Sequence, residues 1–200
     1  MLYRCFFKRF IDVTICLIGL PFFVLIFVVF APIIWLSDFG PIFFIADRLG
    51  KKGKIFKMYK FRSMRVDSPN WLNSDGSTYN GKNDPRVTRI GKFMRKTSLD
   101  ETPQLLNVLL GQMSIIGPRA FMVTKPLNYD DLDDKHKLRL EVLPGISGYS
   151  QAYFRNSVTV EEKVEHDVYY VEHLSFMFDV KIFFKTILSV VSLKNIYVSR

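Results

Sequence analysis

The sequence is poor in the residues that build metal centres and disulfide frameworks. Its 200 residues include two cysteines, Cys5 and Cys16, and three histidines, and neither a CxxC nor an HExxH spacing occurs. Because zinc sites need clustered cysteine and histidine ligands, this scarcity argues against a zinc protein. Two cysteines also provide no disulfide framework, which is typical of a domain in a reducing compartment.

Acidic residues are also in the minority. Asp and Glu total 19 against 28 Lys and Arg, a formal net charge of +9. Such a basic balance indicates an anionic partner, which is a nucleic acid, a phosphorylated substrate or anionic lipid headgroups. Because no nucleic-acid-binding motif is recognisable, we favour phosphate or headgroup contact and expect no nucleic acid. The 48% hydrophobic content is enough for one folded domain with its own core.

Charge is missing altogether from one stretch near the N-terminus. Residues 13–36 (VTICLIGLPFFVLIFVVFAPIIWL) contain no charged side chain, and about 20 apolar residues are enough to cross a bilayer. The run is too long for the apolar region of a signal peptide, and no small-residue cleavage site follows it. It has no polar face, unlike the buried helix of a soluble protein. We therefore predict a membrane-associated segment over residues 1–40 and a cytoplasmic domain, one structural unit, over 41–200.

Whether this segment dips into the membrane or spans it depends on Pro21 and on the flanking charges. Proline removes a backbone donor, so Pro21 is the expected membrane break between two short helices. Arg4, Lys8 and Arg9 precede the run, and eight basic residues follow it between positions 48 and 65. A single span would place one basic group outside, against the positive-inside tendency. The pattern favours a re-entrant helix-break-helix over a spanning helix.

The remaining chain predicts an α+β fold that is mostly helical, with small β elements and amphipathic interfacial helices. Residues 50–64 alternate basic and apolar positions, as in an edge strand, a surface helix or a headgroup-binding segment. The polar, turn-rich residues 66–86 predict a long surface loop, either a lid or a loop without function. Apolar spacing predicts a helix over 160–173 and another over 177–193, the second lying in the core or at the membrane interface.

The stretch SLDETPQ places Asp100 and Glu101 side by side. Ser98 and Glu101 have the spacing of a helix capping box, which would make these residues an ordinary helix start. Pro103, however, fits best at the first helical position, with Thr102 as N-cap. Both carboxylates would then precede a helix N-terminus, where negative charge is favoured and a phosphate is also accommodated.

Many phosphate-binding side chains occur elsewhere in the chain. Arginine forks and lysine ammonium groups match phosphate oxygens, so convergence of such residues on the two carboxylates would favour phosphoryl transfer at a membrane. The candidates are Lys60, Arg62, Arg86, Arg89, Arg95, Lys96, Arg119 and Arg155.

Several ordered blocks carry a family resemblance over nearly all of the chain. They are KRFID, GPIFF, KMYKFRSM, RVTRIGKFMRKTSLDETPQLLNVLLGQMSIIGPR, PGISGYSQA and HDVYYVEHLSFMFDVKI. In joint order and spacing the sequence resembles the monotopic polyprenyl-phosphate phosphoglycosyl transferases, the bacterial sugar transferase family, in their minimal catalytic form.

The resemblance implies a specific reaction and location. Such enzymes move a phospho-sugar from a UDP-sugar to undecaprenyl phosphate and release UMP, the first membrane step in assembling an exopolysaccharide, lipopolysaccharide or glycoprotein glycan. The expected location is the cytoplasmic face of the bacterial inner membrane, with membrane lipids and downstream glycosyltransferases as partners. The minimal form favours an N-acetylated amino sugar as the donor, by family analogy alone.

The resemblance also implies roles for individual residues. Asp100 would be the nucleophile that forms a covalent phospho-sugar intermediate. Glu101 would hold Mg²⁺, the expected cofactor, or position the phosphate. Lys60 and Arg95 match basic positions of the family's active site, and Arg119 matches its Gly-Pro-Arg motif. The predicted substrate-binding and phosphate-binding residues are Lys60, Arg62, Arg95, Arg119 and Arg155.

Four departures from the family pattern keep an alternative open. Pro21 lies about one turn before the usual Ser-Pro, and Ala120 stands where a Pro-Arg-Pro turn has its second proline. Leu143 replaces a basic residue before Pro-Gly, and Tyr153 and Phe154 replace a polar pair. The alternative is a catalytically weak or inactive membrane scaffold of a glycan-assembly complex.

Overall fold

A computed structural model describes residues 2–73, 79, 81, 83–123, 129–155 and 157–192. The fold is mostly helical with two small sheets, which confirms the predicted class. A π-helical turn, Tyr3–Phe7, precedes the first helix. The helices and strands are α1 (Lys8–Asp38), β1 (Phe43–Leu49), β2 (Ile55–Phe61), α2 (Arg89–Thr97), α3 (Gln104–Leu109), β3 (Ser114–Ile116), β4 (Phe121–Met122), α4 (Asp134–Arg139), β5 (Gly145–Ser147), α5 (Tyr149–Tyr153), α6 (Val160–Glu172) and α7 (Phe176–Val191).

Helix α1 carries the apolar run and continues through both of its prolines. The expected break at Pro21 is therefore corrected, because a single helix extends through Pro21 and Pro32. Each proline removes one backbone donor, and the donors of the neighbouring residues can still maintain the helix. Within the described residues, α1 is the one helix long and apolar enough to cross a membrane. The choice between dipping and spanning stays a prediction.

One face of α1 packs against the domain along most of its length. Phe23 and Phe27 contact the ring of Phe61, and Phe27 stacks on Phe43 at 5.7 Å between ring centroids. Cys16, nearer the N-terminus of α1, is buried in the same hydrophobic cluster as Val108 of α3. The helix is thus part of the hydrophobic core and does not stand apart from the domain.

The larger sheet brings two basic residues to one face. It is antiparallel, in the order β2-β1-β4. Strand β2, which lies within the alternating basic and apolar residues 50–64, is therefore an edge strand. Lys60 lies opposite Phe44, and Arg48 lies opposite Phe56 in β2 and Met122 in β4. Cross-strand partners share a face and alternate residues repeat it, so Lys60, Arg48 and the buried Phe56 have the same orientation. The smaller sheet pairs β3 and β5 in parallel.

A buried polar cluster fastens the N-terminus to α7. The Asp179 carboxylate accepts hydrogen bonds from Tyr3 Oη at 2.6 Å, Lys8 Nζ at 2.5 Å and Tyr170 Oη at 2.7 Å. Lys8 and Asp179 are both buried. A buried charge without its partner is costly, so this cluster should specify how α1 packs on the domain.

We expect Asp179→Ala to lower the free energy of unfolding by about 3–5 kcal/mol, because it leaves the Lys8 ammonium buried without its carboxylate. Asp47→Ala is the matched control, since the Asp47–Lys57 pair is exposed and should contribute only about 0–1 kcal/mol. Denaturant unfolding in detergent micelles would measure both values. Equal losses in the two variants would contradict a structural role for the cluster.

Candidate active site

The two carboxylates lie on a short turn between two helices. Asp100 and Glu101 belong to a 3-10 turn, Leu99–Glu101, that begins after Ser98 in the left-handed region with φ of 58°. Helix α3 starts at Gln104, one residue later than predicted. Ser98 and Glu101 do not form a capping box here, because the Ser98 side chain makes no capping hydrogen bond. The Glu101 side chain is therefore available for contacts outside the turn.

Two cations hold the Glu101 carboxylate. Lys60 Nζ lies 2.6 Å from Glu101 Oε1, and Arg119 Nη2 lies 3.5 Å from the same oxygen. The Lys60 and Glu101 side chains are 16% and 22% exposed, whereas the Arg119 side chain is 54% exposed. Burial acts to raise the pKa of Glu101, but the charges of Lys60 and Arg119 outweigh it and hold that pKa at about 2. Glu101 is therefore a fixed negative charge at neutral pH.

The neighbouring Asp100 has the opposite shift. Burial is the main cause that raises its pKa, the negative charge of Glu101 adds to it, and Lys60 and Arg95 partly oppose it. Arg95 is oriented by a hydrogen bond from its Nε to Ser63 Oγ at 2.9 Å. A carboxylate with a raised pKa is a stronger base than an ordinary aspartate, and two adjacent acids with divergent pKa values are typical of divided chemical roles.

Contacts with neighbouring segments fix the loop that carries Arg119. Gly117 packs so tightly that an added Cβ would lie 2.4 Å from the Leu143 carbonyl oxygen, so only glycine fits. Arg139 Nη2 donates to the Arg119 carbonyl at 2.8 Å and also forms a buried ion pair with Asp167. These contacts hold the loop, although Ala120 stands where the family pattern has a second proline.

The structure brings four of the predicted basic residues to the acid pair. Lys60 and Arg119 contact Glu101, and the charge of Arg95 acts on Asp100. Arg155 follows α5 in a left-handed conformation with φ of 51°, and the charge of Glu101 raises its pKa against the larger, lowering effect of burial. These residues come from separate elements: β2, α2, the loop after β3 and the end of α5.

Arg62 is a correction to the predicted set. It is buried, and it donates to the Pro41 carbonyl at 2.5 Å, to Asp38 at 2.6 Å and to the Ile34 carbonyl at 3.1 Å. Its donors therefore anchor the end of α1 and are not available to a substrate phosphate. Arg86 also has a structural role, since it pairs with Asp84 at 2.6 Å and lies over the Trp71 ring.

Arg48 also lies at the site, although no sequence pattern predicted it there. Burial is the main cause that lowers its pKa to about 10, the charge of Arg119 contributes to this lowering, and the charge of Glu101 partly opposes it. Arg48 lies 52 residues before Asp100 in the chain, and no local pattern connects the two. The one available signal was its place among the basic residues that follow the apolar run.

Asp100 and Glu101 are the carboxylates that the expected Mg²⁺ could use. Among the described residues there is no group of three or more histidine, cysteine, aspartate or glutamate side chains that could hold a metal. Magnesium in phosphate-handling sites commonly takes one or two carboxylates and completes its shell with substrate phosphates and water. Both cation contacts of Glu101 use Oε1. The residues that would hold the ion are therefore Glu101 and Asp100.

Comparison with known proteins places this geometry in context. The family model described as bacterial sugar transferase matches residues 3–193. The chain is 41% identical over 189 residues to the galactosyl transferase CpsE of Streptococcus agalactiae serotype III, covering 90% of this chain and 41% of that protein. It is 38% identical to the UDP-N-acetylgalactosamine-undecaprenyl-phosphate N-acetylgalactosaminephosphotransferase of Aeromonas hydrophila, covering 94% and 44%. It is also 38% identical to the exopolysaccharide production protein PSS of Rhizobium leguminosarum bv. phaseoli, covering 92% of both chains.

Proposed function

Since the chain belongs to the bacterial sugar transferase family, we propose that it transfers a sugar phosphate from a UDP-sugar to undecaprenyl phosphate. The chain spans less than half the length of two of these relatives, and the name of the Aeromonas hydrophila protein describes this type of transfer. The observation that carries the proposal is the Asp100–Glu101 pair, with opposite pKa shifts, among Lys60, Arg95 and Arg119.

In the first step a carboxylate oxygen of Asp100 attacks the phosphorus that bears the sugar. The bond from that phosphorus to the bridging oxygen breaks, and UMP leaves with the bridging oxygen and the electron pair. Asp100 then carries the sugar phosphate as an acyl phosphate. Lys60 and Arg119, fixed by Glu101, are placed to bind the oxygens of the diphosphate.

In the second step an oxygen of undecaprenyl phosphate attacks the same phosphorus. The bond to the Asp100 oxygen breaks, which regenerates the carboxylate and forms the lipid diphosphate-linked sugar. Bound Mg²⁺ would supply positive charge against the diphosphate. Among the described side chains, Glu101 is suited to hold that charge because it stays ionised over the whole physiological pH range.

The outer face of α1 would contact the membrane. Phe22, Leu25 and Val28 are exposed there, and the apolar side chains of Phe184 and Leu188 are exposed on α7. The inner face of α1 contacts the domain near both ends, through the Lys8–Asp179 and Asp38–Arg62 pairs. A spanning α1 would put these two pairs on opposite sides of the membrane, and the domain that contacts both of them would have to enter the hydrocarbon, which is costly. The contacts support a helix that enters the membrane and does not cross it, and we propose that it does so in the cytoplasmic leaflet of the inner membrane.

This topology gives a direct prediction. Tags fused at Met1 and at Arg200 should both be accessible to protease from the cytoplasmic side of inverted membrane vesicles, because α1 and the domain stay on one side. A periplasmic protein with a known tag serves as the control for vesicle orientation. Protection of one tag and cleavage of the other would establish a spanning helix.

The donor sugar is proposed to be an N-acetylated amino sugar. One relative is named for N-acetylgalactosamine and another for galactose, so the donor varies among similar proteins. Downstream glycosyltransferases, which would extend the lipid-linked sugar into a glycan, are the proposed partners. A panel of UDP-sugars would rank the donors.

The proposal is tested by UMP release. The purified full chain, in nanodiscs with undecaprenyl phosphate and Mg²⁺, should release UMP from at least one member of a panel of UDP-sugars, and the Asp100→Asn variant should not. Omitting undecaprenyl phosphate should limit release to a single turnover. No UMP across the whole panel would contradict the proposal and favour the membrane scaffold.

A further inference from the structure

Arg48 lies beside the acid pair and has no part in the two proposed steps of the reaction. It is opposite Met122 in the pairing of β1 with β4, and Arg119 lies only three residues before Met122 in the chain. Arg48 also shares a sheet face with Lys60, whose ammonium group contacts Glu101. The sheet thus places Arg48 on the face that carries Lys60 and near the loop that carries Arg119.

The charges around Glu101 do not balance. Lys60, Arg119, Arg48 and Arg155 all interact electrostatically with Glu101, so positive charge is in excess even when Asp100 is counted as ionised. No carboxylate forms an ion pair with Arg48 in the part of the chain that the structure describes. Partly buried guanidinium groups repel each other, and this repulsion explains why the pKa of Arg48 falls further than burial alone would cause. A bound dianion would relieve it.

Arg48 lies four residues along β1 from Phe44, the residue opposite Lys60, in the part of β1 that pairs with β4. The charges that act most on Asp100 are those of Glu101, Lys60 and Arg95, whereas those acting on Arg48 are Arg119 and Glu101. The phosphorus under attack must lie next to Asp100. The other phosphate of the diphosphate would then lie toward Arg48 and Arg119.

We propose that Arg48 and Arg119 together bind the phosphate that leaves as UMP. The proposal rests on the function proposed above and adds a residue to it. Two guanidinium forks can surround one phosphate with several parallel N–H···O bonds. The leaving phosphate gains negative charge as the bridging bond breaks, so the pair should assist the first step as well as binding.

The test is UMP binding by isothermal titration calorimetry, with the full chain in nanodiscs. We expect Arg48→Gln to weaken UMP binding at least about tenfold, and Arg48→Lys to weaken it less, because charge is retained without the fork. Lys57→Gln is the matched control, since Lys57 is exposed on the same hairpin but the opposite sheet face, and its UMP affinity should stay within about twofold of wild type.

Thermal unfolding separates binding from a structural role. Removal of a repelled charge should leave the unfolding midpoint of Arg48→Gln equal to or above that of wild type. Wild-type affinity in Arg48→Gln, or a loss of affinity that accompanies a lowered midpoint, would overturn the proposal for Arg48 while leaving the transferase function intact. A wild-type chain that neither binds UMP nor releases it from any UDP-sugar would instead overturn the proposed function.

Discussion

Asp100→Asn should abolish sugar-phosphate transfer and leave the fold intact. The amide has almost the same shape as the carboxylate but no anionic oxygen to attack phosphorus, so we expect at least about a 10³-fold loss of turnover. Burial and Glu101 both raise the pKa of Asp100, which means that its charge is unfavourable in the folded protein. Stability should therefore be unchanged or higher in the variant, as measured by thermal unfolding beside the UMP-release assay.

The matched control for this variant is Asp47→Asn, which makes the same chemical change at an exposed position on β1. It should retain turnover within about twofold, because an exposed ion pair contributes little to the fold. Turnover of Asp100→Asn close to that of the control would show that Asp100 is not the nucleophile.

Glu101→Gln is expected to have the second largest effect. The amide cannot neutralise Lys60 and Arg119 and is a poor ligand for Mg²⁺, so the residues that bind the diphosphate lose their alignment. We expect turnover to fall about 10²-fold, in line with the loss of residues that orient a metal or its ligands. The measurement is UMP release under saturating UDP-sugar, with unfolding recorded in parallel.

The control distinguishes this role from helix capping. Glu162 forms a true capping box with Thr159 at the start of α6, with the Thr159 backbone N–H donating to Glu162 at 2.7 Å. Glu162→Gln keeps a residue type that can form the capping box, so it should cost less than about 1 kcal/mol of stability and leave turnover unchanged. If Glu101→Gln behaves like Glu162→Gln, with reduced stability and normal turnover, the assigned role of Glu101 is wrong.

Local sequence patterns predicted the elements whose signals are local. The helices near 160–173 and 177–193 are α6 and α7, because apolar spacing determines which face is buried. Pro103 indicated a helix start that the structure places one residue later. The apolar run is helical as expected, but Pro21 does not divide it, since apolar surroundings favour retaining every remaining backbone bond.

The partners of charged side chains could not be predicted in the same way. Arg62 and Lys60 are two residues apart, yet one anchors α1 through Asp38 and the other binds Glu101. Arg48 reaches the site through the pairing of β1 with β4, a strand of two residues that carries no sequence signal of its own. Charge and spacing identify candidates, and only the register of the strands decides which of them meet.

The central claim is that Asp100 carries the sugar phosphate during turnover, and mass spectrometry of the trapped protein tests it most directly. The full chain would be mixed with its UDP-sugar and Mg²⁺ without undecaprenyl phosphate, quenched and digested. We predict a mass increase of one sugar phosphate on the peptide that contains Asp100, absent from Asp100→Asn and removed by adding undecaprenyl phosphate. An enzyme that turns over with no adduct, or with the adduct on another residue, would contradict the account.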